Sequence, residues 1–220
     1  MTQSRVLVFG ESENDTKTIR EFIEALCPSV KVETRRKPIV LIKDARPENV
    51  RPQADQIARA IAVDEENGPV RCVFAHKDCD CVEPGHESTA EAIEIALATA
   101  LRRAGVTGCS VHAVVPAWEM ENWLLLWPEI VGAHVTSWRE PTEYRNRNLG
   151  VVENGKEALG AAVRPRDAKG KRARSREYRE SDAPGIAREI RQRQLVATPA
   201  GTSASYARFR ASVADCCAKA

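Results

Sequence analysis

Apolar positions recur at two different spacings along the first 135 residues, and the alternation between those spacings predicts the architecture. Arg5 to Gly10 is a short apolar run that ends in glycine. It is followed by polar residues and then by Ile19, Phe22, Ile23 and Leu26 at helical spacing, which reads as strand, loop, helix. Pro28 stops that helix. Val30 to Thr34 and Ile39 to Ile42 are candidate strands around a basic turn, and Gln53 to Ala62 suits a second helix. Val70 to His76 has the composition of a buried strand, Ser88 to Ala104 is strongly helical, and Cys109 to Val115 is a further strand. Trp118 to Val131 reads as one apolar helix. Strands alternating with helices predict an α/β domain, Rossmann-like, with a mainly parallel central sheet. The periodicity weakens from about Arg139, so the expected organisation is an α/β domain over 1–135 and a basic, partly helical extension over 136–220. In that extension, short helices are expected near Pro184 to Gln194 and Ser203 to Cys216.

Composition narrows the class. With 220 residues, 43% hydrophobic and 29% charged, the chain has enough apolar surface for a core and no 18-residue apolar run. Membrane spanning and secretion are therefore not expected, and a cytoplasmic location is. Seven cysteines without an export pattern read as reduced thiols, the adjacent Cys216 and Cys217 as packing. The formal net charge of +2 hides an asymmetry: residues 139–210 carry a net +8 and the remainder −6. An acidic body with a basic C-terminal third points to one part that holds cations and another that handles a polyanion. The basic run Arg164, Arg166, Lys169, Lys171, Arg172, Arg174, Arg176 and Arg179 is a candidate phosphate-tracking loop, whose affinity for DNA or RNA would be sequence-independent and salt-sensitive.

Two acidic clusters fall at strand carboxyl ends, where open α/β sheets bind ligands. The first is Gly10-Glu11-Ser12-Glu13-Asn14-Asp15, the second Asp78-Cys79-Asp80. In an extended segment, residues two apart point the same way, so Asp78 and Asp80 are expected to present two carboxylates to one point. Converging carboxylates repel unless a cation lies among them, and oxygen-only donors suit Mg²⁺ or Mn²⁺. Asp15 is also a plausible N-cap. Glu121, with Glu119 as its near substitute, offers a further carboxylate from the start of the Trp118–Val131 helix. A spacing of two on a helix separates their faces. His76, Cys79, Cys81 and His86 are zinc-ligand residue types at an unusual spacing, and packed thiols are the simpler expectation. The tryptophans at 118, 123 and 127 read as core.

A strand ending in a Gly/Glu pair, a later strand ending in Asp-x-Asp, and the segment Val115-Pro116-Ala117-Trp118-Glu119-Met120-Glu121-Asn122-Trp123-Leu124-Leu125 together resemble the TOPRIM domain, the topoisomerase and primase module also found in OLD-type nucleases and small bacterial defence proteins. The likeness covers roughly residues 5–131, and 160–215 loosely. In that family the glutamate precedes the glycine, whereas here Phe9 precedes Gly10 and Glu11 follows, so Glu13 stands as an alternative to Glu11. The resemblance implies a Mg²⁺- or Mn²⁺-dependent phosphodiester hydrolase acting on DNA or RNA. In it Glu11, Asp78 and Asp80 would be catalytic and metal-holding residues, Glu121 a further ligand, and an ATPase or other defence-system protein a partner; an oligomer is compatible with it. The tyrosines Tyr144, Tyr178 and Tyr206 lie outside the α/β core, so water is the expected nucleophile. The displaced glycine–glutamate order keeps open a non-catalytic binding or effector subunit with a degenerate site, and Asp-x-Asp at a strand end also fits a different phosphate enzyme on a similar scaffold.

Overall fold

The structure, a computed structural model, describes residues 5–35, 47–164 and 177–219. The expected strand Ile39–Ile42, and Arg166, Lys169, Lys171, Arg172, Arg174 and Arg176 of the basic run, lie outside the described residues. Four strands, β1 (Arg5–Phe9), β2 (Lys31–Arg35), β3 (Val70–His76) and β4 (Ser110–Val114), form one sheet in the order β2-β1-β3-β4, and every pair in it is parallel. Helices α1 (Glu13–Leu26), α2 (Pro47–Glu65) and α3 (His86–Arg103) connect them. After β4 come α4 (Met120–Leu124), α5 (Pro128–His134), α6 (Gly155–Ala162), α7 (Ala183–Gln192) and α8 (Ala204–Ala218).

Strand alternation sorts the core into two faces. Val6, Val8, Cys72 and Phe74 point to one side, where they meet Ile19, Phe22 and Ile23 of α1 together with Trp123, Trp127, Ile186, Tyr206 and Phe209. Leu7, Phe9, Val73 and Ala75 point to the other, against Ile57 and Ile61 of α2 and Ile93 and Leu97 of α3. The C-terminal helices α7 and α8 thus complete one of the two hydrophobic layers. Among the described residues no helix is long and apolar enough to cross a membrane.

The Trp118–Val131 segment is not one helix. Trp118 stands at φ 61°, α4 lasts five residues, and Pro128, which cannot donate a helical hydrogen bond, opens α5 instead of continuing α4. Asp15 does not cap α1. Ser12 does, accepting a hydrogen bond from the Asp15 backbone N–H at 3.1 Å while its hydroxyl donates to Asp15 Oδ2 at 2.7 Å. Glu13 pairs with Lys17 one turn on.

Six cysteines expected as thiols are paired: Cys27 with Cys217, Cys72 with Cys216, and Cys79 with Cys81, leaving Cys109 free. The two neighbours at the end of α8 therefore reach different elements, the end of α1 and the middle of β3. Spacing in sequence carries no trace of this, because the partners lie 190 and 144 residues away. Cross-links that close loops of this length restrict the unfolded chain most. Replacing Cys27 and Cys217 together by Ser is expected to cost about 2–5 kcal/mol in urea unfolding without reductant; an unchanged midpoint would show that the pair is not a staple.

Candidate functional site at the sheet switch point

The chain leaves β1 outward to β2 and returns across the sheet to β3, so the strand order reverses between β1 and β3. In open parallel sheets the crevice at the carboxyl ends of such a pair is where ligands sit. Here it is formed by Gly10 and Glu11 after β1, Lys77 to Cys81 after β3, and Val115 to Glu119 after β4. Gly10 is fitted to its place: a Cβ there would lie 2.9 Å from Thr16 Cγ2 and 3.2 Å from His76 Nδ1. The bare backbone lets the β1 and β3 ends close together.

Asp78 is the centre of this crevice. Its charge acts on Glu11 from β1, on His76 from its own strand end, and on Glu119 and Glu121 beyond β4. Burial raises the carboxyl pKa values of Glu11 and Glu119. For Glu11 the repulsion of Asp78 and Asp15 works against Lys77 and His76, and for Glu119 Asp78 and Glu157 add to burial. Glu121, 6% exposed, is pushed up to about 7 by burial, against a hydrogen bond donated at 2.8 Å by the Tyr178 hydroxyl. Tyr178 itself is raised, by burial and by the charge of Glu121.

The crevice also carries its own cations. Lys77, only 2% exposed, places Nζ 3.6 Å from Glu11 Oε1 and donates to the Asp78 carbonyl at 3.1 Å. His76 is fully buried, with Nε2 3.2 Å from Asp78 Oδ1 and Nδ1 3.9 Å from Asp15 Oδ2. These are close ion contacts without hydrogen-bond alignment, so His76 and Asp78 Oδ1 remain buried without a hydrogen-bond partner. Burial alone would lower the histidine, but Asp78, Asp15 and Glu11 outweigh it and raise it to about 9.

The expected residues are therefore only partly assembled. Glu11, Asp78 and Glu121 are brought into one electrostatic neighbourhood, joined by Glu119. Glu119 is not on a helix face: it is the extended residue before α4, and its Oε2 accepts the Lys156 backbone N–H at 2.9 Å, so the separation expected from helical spacing does not apply. The Asp78–Asp80 alternation fails for a related reason. Asp80 is exposed and sits at φ 51°, so the loop is turned there, not extended, and the two side chains do not share a face as a strand would dictate. Its backbone N–H donates to the Trp118 carbonyl at 3.2 Å, and Trp118 N–H returns a bond to Cys81 O at 2.7 Å. Cys79 and Cys81 are joined to each other, which occupies the sulfurs a zinc site would need. Of the basic run, Arg164 is exposed and pairs with Glu177 at 3.0 Å. Lys77 and Tyr178 are functional candidates that the sequence passes over. Lys77 follows a buried strand directly, and a lysine there is a readable sign; Tyr178 lies 57 residues from Glu121 and offers none.

The Glu121 carboxyl has a measurable consequence. Folded, it keeps its proton up to about 7, while unfolded it releases it near 4.5. The unfolded chain thus binds fewer protons in that window, and stability falls as pH rises through it. His76 adds a slope of the same sign, its contribution full below 6.5 and lost as pH rises through about 9. Glu121→Gln keeps an acceptor for Tyr178 and removes the charge. It is expected to match the wild type near pH 4.5 and exceed its stability at pH 8 by up to about 3 kcal/mol in urea titrations. Parallel curves for the two proteins would contradict this.

Comparison with protein-family models, with curated proteins and with solved structures finds no match to this chain.

Proposed function

We propose that this chain is a TOPRIM-like, Mg²⁺- or Mn²⁺-dependent phosphodiester hydrolase acting on nucleic acid. The observation that carries the reading is the approach to Asp78, beyond β3, of Glu11 from the end of β1 and of Glu119 and Glu121 from beyond β4, their carboxyl pKa values raised chiefly by burial and further by the charge of Asp78. Asp78 Oδ1, buried 3.2 Å from His76 Nε2, supports it as an oxygen held at the centre of the acidic crevice. Among the described residues no three His, Cys, Asp or Glu side chains form a ready-made metal cage. The reading therefore needs an ion held by one or two carboxylates, waters and substrate phosphate, the manner in which Mg²⁺ is commonly bound. Asp78 and Glu11 would hold the ion, with Asp80 from the loop after β3 and Glu121 from the first turn of α4 as further carboxylates. The bound ion would polarise the scissile phosphate and acidify a water.

The chain's own groups supply the rest. Glu121, titrating near neutrality, is suited to accept a proton from water, and Tyr178 fixes its Oε1. Lys77 and His76 limit repulsion among the acids so that the crevice folds before any cation arrives. The basic residues 164–176 would hold the polyanion through phosphate contacts. The test is incubation of the purified protein with supercoiled plasmid, single-stranded DNA and RNA in Mg²⁺, Mn²⁺ or chelator. Cleavage of at least one substrate that needs the metal is expected, and intact substrates throughout would overturn the reading.

A second reading is a non-catalytic nucleic-acid-binding or effector subunit, in bacterial defence or otherwise. It is favoured by Lys77, whose ammonium already sits beside Glu11 where an ion would otherwise be needed. Retention of nucleic acid with no Mn²⁺ binding would establish it.

A further inference from the structure

We propose that the outer face of α3 is a self-association surface, which takes the α3 of a second copy of this chain, antiparallel and related by a two-fold axis near Ile95. The association is independent of the activity proposed above. Ile95 is 68% exposed, the most open of the large apolar side chains among the described residues. One such side chain is ordinary on a protein surface. Here, however, it lines a groove of about 350 Å³ between α2 and α3, together with Ala92, Ala96 and Thr99 of its own helix and Arg51 of α2. A second hollow continues between the same helices at Ala58 and Ala100. The helical period explains the layout. Ala90, Ile93, Leu97 and Leu101 form the buried stripe of α3, while Ser88, Glu91, Ile95, Arg102 and Arg103 recur at helical spacing on the opposite side and are all exposed. The small residues beside Ile95 let a second helix approach closely, and its own Ile95 then enters the hole they leave.

The charges choose the occupant. Glu87 and Glu91 are exposed near the start of α3, Arg102 and Arg103 near its end. An antiparallel second α3 brings its arginines to the first copy's glutamates at one end and its glutamates to the first copy's arginines at the other, so one patch is complementary to itself, as an isologous interface requires. A partner of uniform charge would be attracted at one end and repelled at the other. Arg103 holds Asp55 of its own α2 at 2.6 Å, but its side chain remains 53% exposed, and a surface pair of this kind contributes little to the monomer. A contact built on one helix from each copy lies at the small end of stable interfaces, so the dimer is reversible, with a dissociation constant of about 10–100 µM.

Sedimentation velocity of the full chain from about 2 to about 400 µM, in about 0.15 M salt, tests this. The wild type is expected to pass from monomer to dimer across that range. Ile95→Lys, at a site exposed enough to leave the fold intact, should raise the dissociation constant at least about thirtyfold. E87K/E91K makes both ends of the helix basic and R102E/R103E makes both acidic, so each alone should stay monomeric, whereas an equimolar mixture should dimerise within about tenfold of the wild type. Thermal melts by circular dichroism that match the wild type establish that each variant is folded. A wild type that stays monomeric throughout overturns the proposal and leaves the groove to a different partner or to none. A dimer indifferent to Ile95→Lys lies on another face and overturns it equally. A dimer that Ile95→Lys breaks but the mixture does not restore overturns the antiparallel two-fold arrangement.

Discussion

Asp78→Asn is expected to reduce metal-dependent cleavage by about a thousandfold or more while leaving the fold intact. The asparagine is isosteric, so the effect is one of charge. The wild-type carboxylate acts through its charge on Glu11, His76, Glu119 and Glu121 at once. Removing it takes away the oxygen proposed to bind the ion and lowers the negative potential around it. On stability the substitution has two opposed consequences. The buried His76 loses the partner 3.2 Å from its Nε2, which favours its neutral form, and the three remaining carboxyls are relieved of repulsion. These offset each other, so the urea midpoint should move by no more than about 1 kcal/mol in equivalent stability. Initial rates of plasmid nicking give the first quantity and equilibrium unfolding the second. Cleavage within tenfold of wild type would remove Asp78 from the mechanism, and a collapse of the fold would show that its role is structural. Glu13→Gln is the control: Glu13 pairs with Lys17 on the surface of α1, and its loss should change neither quantity appreciably.

Strands β1 to β4 and helices α1 to α3 were legible because their apolar residues form short runs bounded by polar and turn residues or recur at helical spacing. Val70–His76 was readable to the residue, since a strand buried on both faces is mostly apolar, here with Arg71 and His76 as its polar positions. The Trp118–Val131 segment misled because the same apolar density serves two short helices and a turn at φ 61°, and hydrophobicity does not register a backbone reversal. The acidic site was legible to the extent that strand ends are: Glu11 and Asp78 follow directly from where β1 and β3 stop. Asp80 was misjudged because alternation holds only while the chain stays extended. A cross-link between its two neighbours ends that condition. Lys77, Tyr178 and the pairing of Cys216 and Cys217 depend on contacts between distant segments, which no local pattern encodes.

The second large effect concerns the division between the α/β unit and the C-terminal residues. Trp123 has no exposed surface, although it follows β4 in a helix of five residues. Its ring lies 5.0 Å from that of Phe209 and 5.3 Å from that of Tyr206, both on α8, and its Nε1–H donates at 3.0 Å to Ser205 Oγ, which also accepts the Ala117 N–H. Phe22 of α1 packs edge-on against the same two α8 rings. One aromatic cluster therefore fastens α8 to α1 and the sheet. Trp123→Ala opens a cavity at its centre and leaves a buried hydroxyl short of a donor, so a loss of about 3–5 kcal/mol is expected. For a chain of this size that lowers the thermal midpoint by about 10 °C. Trp123→Phe keeps most of the packing and loses the hydrogen bond, and should cost about 1–2 kcal/mol. Because both segments share the cluster, the Ala variant should still unfold in one step, with far-ultraviolet circular dichroism and tryptophan fluorescence changing together. Two separated transitions, the first silent in the sheet, would mean that residues 136–220 fold as an attachment to a self-sufficient domain. A single lowered transition means that the acidic crevice of the sheet and the basic C-terminal third belong to one cooperative unit, so the site's geometry depends on α8 being in place.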